Sequence, residues 1–78
     1  MKAIEEANQP VVSNIERLLL ETGVKQGFIA MKSGIAEKSF SDMMNGRMII
    51  RPSDVVNIAL AFSVNPSELF REGGEAIE

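Results

Sequence analysis

The chain has no cysteine and no histidine. The first absence removes disulfide staples and thiol nucleophiles. Together the two remove zinc sites of the Cys/His type and imidazole acid–base chemistry. Long hydrophobic runs are also missing: the longest, Ile58 to Phe62, falls far short of the ~20 residues that cross a bilayer. The opening residues, Met1-Lys2-Ala3-Ile4-Glu5-Glu6, lack the apolar core of a signal peptide. No enzyme, cofactor site or membrane contact is expected, and the expected compartment is the cytoplasm.

The carboxylates add no catalytic or metal site. Glu5-Glu6, Glu16 and Glu21 read as solvated helix faces, and Glu72, Glu75 and Glu78 are too dispersed to hold a metal. Gly73-Gly74 is not a phosphate loop, because no strand precedes it and no Lys-Ser/Thr follows.

What is present is one small domain of 78 residues, 45% hydrophobic and 24% charged. A chain of this size buries only ~60% of its unfolded surface and has no room for a second core. Its net charge of −3 argues against a general polyanion binder. The charge is unevenly placed, however. Lys25 to Arg51 holds five bases (Lys25, Lys32, Lys38, Arg47, Arg51) and two acids (Glu37, Asp42), a net of +3, against −6 for the remainder.

Pro10 and Pro52 stand where helices can begin, and Gly23, Gly34, Gly46 and Gly73-Gly74 where helices can end. Between these marks the apolar residues recur at helical spacing. The pattern predicts a helix over 11–22, with Val11, Ile15, Leu18, Leu19 and Thr22 inward and Asn14, Glu16, Arg17 and Glu21 outward. A second helix covers 26–33 around Ile29 and Ala30, and a third covers 37–45 with Phe40 and Met43 inward. A fourth covers 53–62, burying Val55, Val56, Ile58, Ala59 and Phe62. Asn65-Pro66-Ser67-Glu68 opens a final turn that presses Leu69 and Phe70 onto the core. Residues 1–10 form an N-terminal arm, with at most a helical turn through Ile4 and Ala7, and 71–78 an acidic, solvated tail. No strand pattern appears. The fold class is all-α, a compact bundle of four to five short helices.

The informative stretch runs from Gly23 to Arg47. Two short helices flank a turn at Gly34-Ile35, Ala30 lies four residues before that glycine, and Phe40 and Met43 lock the second helix. A small residue at 30 lets the helices cross closely, and Gly34 supplies a backbone conformation that a Cβ would strain. This spacing is that of a helix-turn-helix, whose second helix can enter the DNA major groove.

Over residues 11–70 the chain resembles the lambda-repressor-like, Cro-type (XRE) family of DNA-binding domains. The likeness rests on Gly23-Val24-Lys25-Gln26, on Asn45-Gly46-Arg47, and on the closing run Ile58-Ala59-Leu60-Ala61-Phe62-Ser63-Val64-Asn65-Pro66-Ser67-Glu68-Leu69-Phe70. The resemblance implies a bacterial or phage-encoded transcriptional regulator of repressor or Cro size, nucleoid-associated when bound. It would act as a homodimer on a palindromic double-stranded DNA operator. By the same resemblance Glu37, Lys38, Ser39 and Asp42 read bases. Lys25, Gln26, Asn45, Gly46 and Arg47 hold phosphate, Asn45 to Arg47 through backbone amides and one base. The chemistry of the residues agrees: lysine can donate to guanine O6 and N7, and a carboxylate can accept from cytosine N4.

Four departures from the family pattern bear on this expectation. The usual arginine–glutamate pair between the first and third helices is replaced by Leu19 and Met44, both apolar, so no charge is stranded. Ala36 stands where a serine or threonine usually caps the third helix, with Ser33 a possible substitute cap. The loop Met48-Ile49-Ile50 lacks the usual bases. Phe28 and Met31 occupy positions that are usually polar. Phe28, Met31, Met48, Ile49 and Ile50 either fold onto the small core or form a protein-binding surface. Dimer contacts fall to Val11/Val12, to the 48–50 loop or to the C-terminal region. These departures support a second expectation, a protein-interaction module on a helix-turn-helix scaffold (an antirepressor, antitoxin or regulatory partner) with little or no DNA binding.

Overall fold

A computed structural model describes residues 2–72. Its described part is all-helical: α1 (Lys2–Ala7), α2 (Val11–Thr22), α3 (Gln26–Ser33), α4 (Glu37–Met44), α5 (Pro52–Phe62) and a closing 3₁₀ turn (Pro66–Phe70). Among the described residues, no helix is long and apolar enough to cross a membrane.

The helices start and stop where short-range chemistry dictates. α2 lacks a capping side chain at Pro10, but Gln9 Oε1 accepts from the Ser13 amide at 3.3 Å and its hydroxyl at 2.8 Å, satisfying one free donor of the first turn. α3 ends at Gly34 in the left-handed region (φ 72°), whose amide donates to Ala30 O and Met31 O. A β-carbon would strain that conformation, so the chain reverses there at little cost. α5 begins with Arg51-Pro52. Buried Asp54 accepts from the Arg51 amide at 3.0 Å and from its Nε at 3.1 Å. This hydrogen bond, with the attraction of the carboxylate, raises the Arg51 pKa above its already high ordinary value. α5 ends at Ser63, a non-glycine residue in the left-handed region (φ 60°).

One core joins these elements. Val11, Ile15 and Leu18 of α2, Ile29 and Ala30 of α3, Phe40 of α4, Val55, Ile58 and Ala59 of α5, and Leu69 are all buried together. Leu19 and Met44 are partly buried hydrophobics packed against the same cluster.

Several expected orientations are corrected. Asn14, expected outward, is buried: its Nδ2 donates to Leu69 O at 2.9 Å and Arg71 O at 2.8 Å, tying the closing turn to α2. Arg17 joins this knot, with Nη2 donating to Asn14 Oδ1 at 3.1 Å and lying 3.8 Å from a Glu68 carboxylate oxygen. Thr22, Val56 and Phe70, expected inward, are exposed, Phe62 is only half-buried, and Leu69 is the one buried side chain of the closing turn. Val11 and Val12 are buried within the chain, so they cannot form a dimer surface. Most of the expected acidic tail, residues 73–78, lies outside the described residues.

Candidate nucleic-acid interface

The basic segment folds into α3, the turn Gly34–Ala36, α4 and the loop 45–51. Burial of Phe40 and Met43 fixes which way α4 faces. At 100° per residue, Lys38, Ser41 and Asp42 then fall on the opposite side, and Glu37 at its edge towards α3. Glu37 and Lys38 are exposed, while Ser41 and Asp42 are half-buried.

Lys38, Asp42 and Arg47 are brought together. Lys38 Nζ lies 3.2 Å from Asp42 Oδ2, one turn along the same helix, and Arg47 Nη1 lies 3.6 Å from Asp42 Oδ1. The Asp42 side chain is 18% exposed between two cations that are 85% and 71% exposed. Glu37 does not join this cluster. Its carboxylate rests on the first turn of α3, where a Cβ built on Gly27 would meet Glu37 Oε2 at 2.8 Å. Glu37, Gly27, Phe28 and Lys25 line one open groove of about 550 Å³ with Gly23 and Val24.

The other expected residues fall at the edges. Ser39 is half-buried and lines a separate cleft of about 520 Å³ between the turn, the 48–51 loop and the start of α5. Lys25 is exposed immediately before α3 in an extended conformation, and Gln26 is the half-buried first residue of that helix. Asn45 turns its side chain back, Nδ2 donating to Ser41 O at 2.9 Å.

The amides of Asn45, Gly46 and Arg47, expected to hold phosphate, are already committed. They donate to Ser41 O, Met43 O and Asp42 O at 3.0, 3.3 and 2.8 Å, closing the end of α4. This corrects the expectation, because a donor spent on the helix terminus is not free for phosphate. The Arg47 guanidinium is what this corner can offer. Ser33 also fails as a substitute cap for α4, since its hydroxyl donates to Ile29 O within α3, and Ala36 makes no side-chain cap bond.

Two residues beyond the sequence expectation organise this corner. Asn8, buried just after α1, donates through Nδ2 to Met43 O at 3.0 Å and Met48 O at 2.9 Å, and its Oδ1 accepts from the Ile50 amide at 2.9 Å. Glu5 lies over buried Gly46, where any Cβ would run into its side chain. The N-terminal segment is therefore packed against the end of α4 and its following loop. The sequence carries no signal for this role, since a single asparagine after a weakly amphipathic turn has no period to reveal its partners.

Of the five apolar residues expected either on the core or on a protein-binding surface, Phe28, Met31, Met48 and Ile49 are exposed, Met31 at 67%, while Ile50 is half-buried against the core. Lys32 Nζ sits 5.6 Å from the centroid of the Phe28 ring, within cation–π range. Among the described residues, no group of three or more acidic side chains is placed to hold a metal.

Comparison with protein-family models, with curated proteins and with solved structures finds no match to this chain.

Proposed function

We propose that the chain is a sequence-specific DNA-binding transcriptional regulator in which α3, the turn and α4 act as a helix-turn-helix. α4 would lie in the major groove and α3 across the backbone. The observation that carries this reading is the pairing of α3 and α4. Two eight-residue helices are joined at a left-handed Gly34, with Phe40 and Met43 turned in and a charged face turned out. In the proposed complex Lys38 and Asp42 reach base edges, with Glu37 and Ser39 at the flanks. Arg47 and Lys25 hold phosphates, Gln26 supports the backbone contact, and Asn45 and Gly46 shape the corner rather than bind it.

One short reading helix covers only a few base pairs, so the proposed unit on DNA is a homodimer on a palindrome with half-sites about one turn apart. The 48–50 loop and the exposed α5 residues Val56 and Leu60 are free to contribute to its interface.

Selection from random duplexes at about 50 and 200 mM salt tests the reading. It expects an enriched palindrome and an affinity that falls with salt. Lys38→Ala should relax base preference, and Arg47→Ala should weaken all sequences alike. If nothing is enriched at the lower salt, the protein-interaction reading takes over. Exposure of Phe28, Met31, Met48 and Ile49 favours that second reading.

A further inference from the structure

The acids of the proposed reading face are placed against its own positive features. Asp42 gives one oxygen to Lys38 and the other to Arg47. Glu37 lays its carboxylate on the first turn of α3, in the groove that Lys25 also lines, at the end where helix dipoles favour an anion. These are the only two acids between Lys25 and Arg51, and each sits where a DNA phosphate would otherwise be attracted.

We propose that Glu37 and Asp42 act as internal stand-ins for phosphate, making them specificity-determining residues that suppress binding to DNA of arbitrary sequence. The inference rests on the DNA-binding reading above. Lys38–Asp42 and Arg47–Asp42 are solvent-exposed on the cation side, and such pairs hold weakly. A duplex can therefore draw both cations away. The carboxylate that remains then faces the DNA. Where a base offers an N–H donor, such as cytosine N4, the carboxylate is satisfied. Where the groove offers only acceptors, it is left unpaired against like charge, and the complex is penalised. Discrimination comes from this repulsive element as much as from the attractive contacts. Arg51 stands outside the arrangement, since its partner Asp54 belongs to the start of α5.

The test measures wild type, Glu37→Gln, Asp42→Asn and the control Glu16→Gln against the selected operator and a random duplex, each across a salt series. Glu16 is an exposed residue of α2, and its substitution changes the net charge by the same amount. The expectation is that Glu37→Gln and Asp42→Asn each tighten random-duplex binding about tenfold, with the operator preference falling by a similar factor, the size of one base-pair discrimination. The salt slope should steepen by about one phosphate per acid removed. Glu16→Gln should leave the operator preference unchanged. Equal effects from Glu16→Gln would reduce the device to net charge and overturn it. An unchanged operator preference in the two face variants would also overturn it while leaving the DNA-binding reading intact. If neither wild type nor any variant retains a duplex at about 50 mM salt, both readings fall together.

Discussion

Asn8 has two N–H donors and one carbonyl, and it spends them on Met43 O, Met48 O and the Ile50 amide. Asn8→Ala leaves three buried or half-buried backbone groups without that partner. Each such loss costs about 1–3 kcal/mol, partly relieved where water reaches the loop. The expected outcome in urea unfolding is a loss of about 2–4 kcal/mol with the slope unchanged. Two glycines give opposite expectations for the same substitution. Gly27→Ala sits inside α3, and the new Cβ meets only the end of the Glu37 side chain, which can rotate aside. Removing glycine from a helix should raise stability by about 0.5–1 kcal/mol. Gly46→Ala meets both a left-handed backbone (φ 77°) and Glu5, and it should lower stability by more than Gly27→Ala raises it. Thermal melts of the two variants check the sign of each. At this scale the sequence was only partly legible. Phe40 and Met43 follow from their spacing on one helix face. Asn8 and Asn14 reach partners as many as 42 and 57 positions away, and no local pattern announces a side-chain bond of that span.

For the elements, the turn chemistry was the clearest signal in the chain. Gly23 and Gly34 close α2 and α3, and those helices occupy the predicted 11–22 and 26–33. α4 stops at Met44, one residue early, because Asn45 already leaves helical geometry (φ −99°, ψ 8°). α5 starts one residue early, at Pro52, whose fixed φ suits a first helical position. The exposure of Val56 and Phe70 was not legible, since a hydrophobic residue at a helix edge looks the same whether or not another element covers it. Ser63 ends α5 in a conformation that glycine adopts freely and other residues adopt at a penalty. Ser63→Gly should therefore stabilise the chain by about 0.5–1 kcal/mol, offset in part by the added freedom of the unfolded glycine. Urea midpoints compared under identical conditions would register this.

Across the whole molecule, a single core of short helices leaves little reserve. Phe40 is 1% exposed and belongs to the one cluster that α2, α3, α4 and α5 share. Truncation of a buried phenylalanine costs about 3–5 kcal/mol, against total stabilities that start near 5 kcal/mol for domains in general. Phe40→Ala should accordingly show a large loss of helical circular dichroism at 25 °C, and Phe28→Ala, which removes an exposed ring, should not. The division of charge was visible in the sequence as a basic segment within an acidic chain. What the sequence could not reveal is that the two acids of that segment lie against its cations and against a helix terminus. That depends on how α3 and α4 are set beside each other.

The attachment of Asn8 also has a consequence for the order in which the chain can assemble. Residues 2–8 are made well before their partners at 43, 48 and 50. α1 has nothing to dock on until the rest of the core exists. It should therefore be the last element to settle and, by the same bonds, among the first to open. Hydrogen exchange at the Ile50 amide would then report the detachment of α1, well before the core lets go.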